Sequence, residues 1–422
     1  MRKILIMLIA PTLSMLILTL GNGFFTTITT LALKDLHGSA LLIGIVASGY
    51  FLGLMWGSYR SSKLINRVGH IRAYAVFATM MTVGSLLQGI FSSAILWFFL
   101  RLITGYALAG LFIVIESWLL ARSDESNKGR ILAFYLLIYY LAQAASQLLL
   151  KVPYQSTLVA FVMIAVLASV SIIPVSVTRF SAPEVERQHL TSMRELWKLA
   201  PLGIWAAFIA GTILGVIYAM YPLVLKEIHL ATGDIAYIMA ATVLGGAALQ
   251  VPIGKLSDHV DRRKVIFLVC VLTLVVSVLA LMLPKNIWTL LIVSFLLGGL
   301  SFTFYPLSIS HASDYLSTNQ AVAVIAMLTL LYGVGSAIGP IVLPAFMKIF
   351  GPYGFYVYMG IVVIVLGLYT GWRLTRREPA KDTVAFVSTV PETGLAAEEI
   401  AEQLDVPTEQ VAQIKRKRKS KG

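Results

Sequence analysis

The stretch VIFLVCVLTLVVSVLALML (265–283) decides the class of fold, because it runs for nineteen residues without a charged side chain. A helix needs about 20 mostly apolar residues to cross the hydrocarbon core of a bilayer. The whole chain has the same character, since 58% of its 422 residues are hydrophobic and 13% are charged. Soluble domains carry about 25% charged residues. The composition therefore predicts a membrane protein.

Apolar runs of similar length recur along the chain and predict an all-α fold of twelve transmembrane helices. The first run continues past residue 30 without a small-residue cleavage site, so we expect an uncleaved first helix and not a signal peptide. The predicted spans are 4–31, 41–61, 72–92, 95–120, 130–150, 156–178, 200–223, 234–254, 265–283, 288–311, 320–345 and 354–373.

The basic residues predict the orientation of these spans. If both termini are cytoplasmic, 27 Lys and Arg residues lie on the inner side and 5 on the outer side, as the positive-inside rule requires. The net charge of +13 is thus explained by topology, and we expect no nucleic-acid partner. The polar stretch 179–199 divides the chain into an N-terminal six-helix bundle (1–178) and a C-terminal one (200–373), followed by a cytoplasmic tail (374–422).

The two halves share a sequence pattern. SKLINRVGHIR (62–72) follows the second span, and GKLSDHVDRRK (254–264) follows the eighth, 192 residues later. Added to the start of the fifth span at 130, the same offset gives 322, close to the start of the eleventh span at 320. A constant offset indicates duplication, and repeats of this kind are typical of transporters that bind substrate between their halves.

The second of these loops resembles a signature of the major facilitator superfamily, G-x-x-x-D-R-x-G-R-R. The matching residues are Gly254, Asp258, Arg262 and Arg263, whereas His259 and Asp261 depart from the pattern. The resemblance implies two six-helix bundles joined by a conformational latch. Gly254 permits close helix packing, and the charged residues are suited to hydrogen bonds and ion pairs.

The first loop matches the signature less well. Ser62 and Asn66 replace the glycine and the carboxylate, while Arg67 and Gly69 fit. Without the carboxylate we expect this copy of the latch to be weaker. An ordinary basic cytoplasmic loop is the alternative explanation.

The fourth span contains two charged residues. Arg101 and Gly105, in RLITGYALAG (101–110), resemble an R-x-x-x-G pattern of the same superfamily. Arg101 either binds an anionic substrate or couples transport to protons, or it extends to the nearby membrane surface. Glu116 is a candidate proton relay, or a residue near the cytoplasmic end that pairs with Arg122 or Arg130. The two lie roughly 22 Å apart along the helix, too far for a direct pair.

The eleventh span reads YGVGSAIGPIVLP (332–344), and Gly335, Gly339 and Pro340 resemble a glycine-proline antiporter motif of the superfamily. Helix packing explains the pattern as well as antiport does. Polar side chains in other spans either line a central cavity or join helices to one another. Because they are amphipathic and aromatic, they favour a neutral or amphiphilic solute. The cavity candidates are Asn22, Thr26, Tyr139, Gln143, Tyr218, Tyr305 and His311.

The stretch 115–140 resembles bacterial YcaD-type transporters within the superfamily, which narrows the relatives without supplying a ligand. The resemblance implies secondary active transport by alternating access, with protons as the expected coupling ion and amphiphile efflux as one possible direction. A non-transporting sensor that signals through its tail is the alternative. We expect a monomer in a bacterial inner membrane, with a small-molecule substrate, no cofactor, no metal and no enzymatic activity.

The sequence of residues 374–422 predicts a separate, soluble tail. Residues 396–414 have the pattern of two short amphipathic helices, and KRKRKSK (415–421) follows them. Basic residues near a membrane surface are attracted to anionic headgroups. We expect this tail to lie at the membrane surface or to bind a partner.

Overall fold

A computed structural model describes residues 2–120, 128–154, 156–177, 197, 200–315, 318–376 and 385–389. These residues form helices and short connections. The helices are α1 (Arg2–Asp35), α2 (Ala40–Val68), α3 (His70–Ile90), α4 (Ala94–Leu120), α5 (Lys128–Leu148), α6 (Thr157–Val170), α7 (Ile172–Ser176), α8 (Pro201–Glu227), α9 (Thr232–His259), α10 (Arg262–Met282), α11 (Ile287–Ser301), α12 (Phe304–Ser313), α13 (Thr318–Phe350) and α14 (Gly354–Arg376).

Capping residues define several helix starts. Ser39 accepts a hydrogen bond from the Leu42 amide, Asn286 accepts one from Thr289, and each satisfies a donor that the first turn leaves free. Two predicted spans, 156–178 and 288–311, each consist of two helices in the structure. The breaks fall at Ser171 and at residues 302–303, where the chain turns without leaving the apolar region.

The all-helical membrane fold is confirmed. Within the described residues, eleven helical stretches are long and apolar enough to cross a bilayer. The last of them, Ala323–Arg376, is 54 residues long and contains most of α13 and all of α14, joined by a short 3-10 turn at Gly351–Tyr353. Twelve membrane crossings therefore remain a prediction.

The two halves pack their helices alike. A Cβ at Gly53 of α2 would overlap the carbonyl oxygen of Leu102 on α4, and a Cβ at Gly245 of α9 would overlap that of Phe295 on α11. Gly53 and Gly245 are separated by the repeat offset of 192. The absence of a side chain at both positions lets two backbones approach closely. The duplication seen in the sequence is thus also a duplication of packing.

The halves meet along α1 with α8, α2 with α13, and α5 with α9. Ser48 of α2 donates to the carbonyl oxygen of Ala337 on α13 at 2.6 Å, and a Cβ at Gly44 would overlap the carbonyl oxygen of Pro340. We call the side on which α2 and α9 end the latch face. The side on which α1 and α8 end is the opposite face.

Candidate functional site

Arg101 is buried inside the first half. It is 1% exposed, and its Nη2 donates to the Thr26 hydroxyl at 3.1 Å. Its guanidinium carbon lies 4.5 Å from the ring centroid of Phe25 and 4.4 Å from that of Tyr50. Aromatic faces attract a cation, and more strongly when water is excluded. The geometry favours the buried cation among the alternatives that the sequence left open.

Several buried polar atoms of the first half, two of them on this guanidinium, lack a hydrogen-bond partner among the described residues. They are Nε and Nη1 of Arg101, Oδ1 of Asn22 and Oε1 of Gln143. Asn22 donates from Nδ2 to the Tyr50 hydroxyl at 3.1 Å, so this amide belongs to the same group of residues. An unpaired buried polar group costs about 1–3 kcal/mol, and a charged one more. We call Asn22, Phe25, Thr26, Tyr50 and Arg101 the arginine cluster.

Glu116 lies near the other end of α4 and is 3% exposed. The Tyr135 hydroxyl of α5 donates to its Oε1 at 3.1 Å. Arg130, one predicted partner, is an exposed residue in the first turn of α5. The other, Arg122, falls outside the described residues. The arginine cluster and Glu116 thus occupy opposite ends of one helix.

The remaining cavity candidates are all buried, and most of them contact aromatic rings. The ring centroid of Tyr139 lies 5.9 Å from that of Phe112, and that of Tyr218 lies 5.6 Å from that of Phe302. His311 is 5.3 Å from the Tyr315 ring. Tyr305 shares a 2.7 Å hydrogen bond with the hydroxyl of Thr329 on α13.

Other polar residues of the same spans join helices. The Thr27 hydroxyl donates to Oε1 of Gln147 at 2.7 Å, which links α1 to α5. The Thr30 hydroxyl donates to the carbonyl oxygen of Ala219 at 2.7 Å, which links α1 to α8 across the two halves. Hydrogen bonds of this kind hold transmembrane helices together. Helix joining therefore accounts for these three residues.

The glycine-proline segment of α13 makes close packing contacts. A Cβ at Gly335 would overlap the carbonyl oxygen of Phe208 on α8, and a Cβ at Gly339 would overlap that of Thr212. The carbonyl oxygen of Pro340 lies against Gly44 of α2. The segment brings α13 close to helices of both halves.

The second copy of the latch is a network of ion pairs. Arg262 contacts Asp314 at the end of α12, with Nε 2.8 Å from Oδ2, and lies 3.6 Å from Asp258. Arg263 pairs with Asp261 at 2.7 Å. Asp261 also accepts a hydrogen bond from the Arg263 amide and so caps the start of α10. This explains why an acid stands where the superfamily pattern has glycine.

The first copy of the latch differs in its backbone. Gly69 has φ 86° and ψ 160°, a region that only glycine adopts readily. Its amide donates to the carbonyl oxygen of Ile65 and ends α2. Asn66 and Arg67 are exposed. Gly69 and Asp261 are related by the repeat offset of 192. The two copies therefore form the corner between consecutive helices with different residues.

Asp258 and Gly254 contact the tail. Oδ1 of Asp258 accepts a hydrogen bond from the Phe386 amide at 2.7 Å, and a Cβ at Gly254 would overlap the Phe386 ring. From the sequence we expected Gly254 to pack against a helix and the tail to be separate. The five residues 385–389 instead lie against the helical body. The predicted tail helices and the basic end fall outside the described residues.

The opposite face carries two crossed ion pairs that the sequence motifs did not lead us to expect. Lys34 lies 3.0 Å from Glu227, and Lys226 lies 3.2 Å from Asp35. The four residues join the end of α1 to the end of α8. His37 and His229, which follow them, both have positive φ values, 59° and 63°. The repeated pattern Lys-acid-x-His at the offset of 192 was the signal available in the sequence.

Comparison with known proteins agrees with this architecture. The family model of the Major Facilitator Superfamily matches residues 12–224 and 203–397. The uncharacterized MFS-type transporter YcaD of Escherichia fergusonii is 30% identical over 332 residues, which cover 77% of this chain and 85% of the relative. YcaD of Salmonella arizonae is 31% identical with the same coverage.

Two solved transporters share the fold. A D323A mutant of the nucleoside transporter NupG superposes with a TM-score of 0.74 at 13% identity, covering 87% of this chain and 99% of NupG. A bacterial homolog of the human lysosomal transporter Spinster, inward-facing and occupied, has a TM-score of 0.65 at 14% identity, covering 87% of this chain and 95% of that one.

The helical membrane body with duplicated halves and a latch defines a multi-pass membrane transport protein. The chain belongs to the Major Facilitator Superfamily, and the resemblance drawn from its motifs is confirmed.

Proposed function

We propose that this protein is a proton-coupled secondary transporter that moves a small amphiphilic solute by alternating access. Twelve spans would place both termini on one side of a bacterial inner membrane, and the excess of Lys and Arg assigns that side to the cytoplasm. Two six-helix bundles (1–178 and 200–373) would be joined by a linker (179–199). The latch face is then the cytoplasmic face. The 54-residue stretch 323–376 supports two crossings, because one helix of that length would be far longer than the roughly 30 Å hydrocarbon core.

The observation that carries the proposal is the buried guanidinium of Arg101. A cation inside the hydrocarbon region is expensive unless it is paired, and the described residues offer its Nε and Nη1 no acceptor. A solute with an accepting oxygen would satisfy these donors. The rings of Phe25 and Tyr50 beside the guanidinium suit an apolar or aromatic portion of the same molecule.

Glu116 is the proposed proton carrier. A buried carboxylate within a membrane span is a frequent proton site, and the Tyr135 hydroxyl beside it is suited to stabilise its ionised form. Because Glu116 lies toward the latch face and Arg101 toward the opposite face, proton and solute would be handled at different depths of α4.

A proteoliposome screen tests this function. Purified protein is reconstituted, and a panel of fluorescent and radiolabelled amphiphiles is followed in both directions with and without a pH gradient. We expect a gradient-dependent flux that Arg101→Ala reduces at least roughly 100-fold, since the arginine is buried and charged. Arg60→Ala, at an exposed position, is the matched control and should leave the flux unchanged.

The variant Glu116→Gln separates coupling from binding. If Glu116 carries the proton, this variant still exchanges solute but no longer responds to the pH gradient. A normal pH response in Glu116→Gln contradicts the relay. A flux that is equal in wild type and Arg101→Ala contradicts the solute site.

The alternative function is a non-transporting sensor that signals through the tail, and the contact of residues 385–389 with α9 favours it. Deleting residues 380–422 discriminates between the two. A transporter keeps its flux without the tail, whereas a sensor shows no flux in either form and loses its signalling output with the tail.

A further inference from the structure

We propose that residues 385–389, AFVST, form a plug that fills the opening between the two halves at the latch face and must leave before the transporter can work. We call this segment the tail plug. Its geometry is independent of the function proposed above, and its effect on flux rests on that function.

The tail plug runs into the protein along α9. Phe386 contacts Gly254 and Asp258 near the end of that helix, while the carbonyl oxygen of Thr389 accepts a hydrogen bond from Nε2 of Gln250 at 2.9 Å. Gln250 lies nine residues before the end of α9 at His259, which is about 13 Å along the helix. The segment therefore enters from the latch face and points toward the interior.

Two side chains of the tail plug are fully buried. Ala385 is exposed and both Phe386 and Ser388 are partly buried, whereas Val387 is 3% exposed and Thr389 is 2% exposed. Val387 belongs to the continuous apolar core of the protein. From Phe386 to Thr389 every side chain of the tail plug is at least partly buried, so the segment does not lie loosely on the surface.

The plug contacts the second half directly and is linked to the first half through the side chain of Gln250. Gln250 of α9 donates to Thr389 and accepts at Oε1 from the hydroxyl of Tyr140 on α5 at 2.9 Å. Tyr140 belongs to the first half and Gln250 to the second. Withdrawal of the plug would leave the buried amide donor of Gln250 unpaired, which costs free energy. This hydrogen bond therefore stabilises the seated plug.

The opposite face explains why the plug matters in this conformation. That face is closed by the crossed ion pairs and by the close contact of α2 with α13. In alternating access the binding site must then reach the latch face. The tail plug lies in that path, so it holds the protein in a state closed on both sides.

Protection of a single cysteine tests whether the plug is seated. Cys270 is buried and is replaced by serine, and Thr389→Cys is introduced, which leaves the backbone contact to Gln250 in place. In the whole chain in nanodiscs we expect slow labelling by a polar maleimide. Val387→Asp should unseat the plug and speed labelling at least roughly tenfold, since it buries a carboxylate without a partner. Ala385→Asp, at an exposed position, is the matched control and should change nothing.

Covalent locking tests whether the plug inhibits. The pair Gly254→Cys with Phe386→Cys, in the Cys270→Ser background, should form a disulfide on oxidation because the two positions are in direct contact. We expect oxidation to abolish flux and reduction to restore it, while Val387→Asp raises flux above wild type.

The outcomes are separable. If the thiol introduced by Thr389→Cys is labelled at the same rate with and without Val387→Asp, or if Ala385→Asp speeds its labelling as much as Val387→Asp does, the plug is overturned. If the thiol introduced by Thr389→Cys is fully protected from labelling and the oxidised pair of cysteines still shows undiminished flux, inhibition of transport by the plug is overturned. If no variant transports any probe, the proposed function fails while the labelling result still decides whether the plug is seated.

Discussion

The two copies of the latch occupy equivalent positions in the two halves and differ in almost every contact. In the second copy each of Asp258, Asp261, Arg262 and Arg263 has a charged or backbone partner. In the first copy Asn66 and Arg67 are exposed, and Gly69 forms the corner through its backbone alone. The corner between the two helices is thus present in both halves, whereas the side chains that form it differ. One half holds a charged network, and the other forms its corner at a glycine.

The largest expected effect comes from breaking the buried pair of the second copy. The side chains of Arg262 and Asp314 are 1% and 3% exposed, and removing one member of a buried pair typically costs about 3–5 kcal/mol. We expect Asp314→Asn to lower the free energy of unfolding by about that amount, measured by thermal or denaturant unfolding in detergent.

The matched control for Asp314→Asn is Asp35→Asn, which breaks a pair that is 31% and 60% exposed. Exposed pairs contribute about 0–1 kcal/mol. Comparable losses from the two variants would show that the charged network of the second copy is not the stabilising feature that sets it apart.

A smaller effect is expected from giving the first copy the residue of the second. Gly69→Asp places a side chain at φ 86°, which costs about 1–3 kcal/mol of backbone strain. No atom lies within 4 Å of a Cβ at this position, so strain and not collision is the cause. Unfolding measurements on Gly69→Asp and Gly69→Ala should therefore give similar losses, and a large difference between them would point to another cause.

The smallest effect concerns the ion pair of Asp261, and it depends on pH. Burial raises the pKa of Asp261, but hydrogen bonds from the Arg263 side chain and amide outweigh it and hold the pKa below its ordinary value of 3.8. Stabilisation is thus present above pH 3.8 and is lost as the pH falls through the lower pKa of the folded protein. We expect Asp261→Asn to lose about 1 kcal/mol at pH 7.

The loss in Asp261→Asn should shrink as the pH falls from 3.8 through the lower pKa of the folded protein, because the wild-type carboxyl then becomes protonated as well. Unfolding curves of both proteins at pH 7 and at a series of pH values below 3.8 check this. A loss of the same size at every pH would contradict the ion pair as its cause, since an asparagine retains the helix cap but not the charge.

The fold was largely predictable because its elements follow from apolar runs and small residues. Spans of about 20 residues, the offset of 192 and the pattern at Gly254 depend only on local sequence. The site was less predictable. That Arg101 lies between Phe25 and Tyr50 depends on how three helices pack, and its depth along α4 did not decide between burial and extension to the surface. The sequence AFVST (385–389) has neither helical periodicity nor charge, so nothing in it indicates a buried partner on α9.

The crossed ion pairs of the opposite face have the form of a subunit interface. In a two-fold homodimer a contact between one residue and another recurs with the roles exchanged. Here Lys34 with Glu227 and Lys226 with Asp35 repeat that relation within one polypeptide. In an ancestor made of two identical units, one codon change would have altered both bonds at once. After gene fusion each bond can change separately. The two acids already differ, because the residue equivalent to Asp35 in the second half is Glu227.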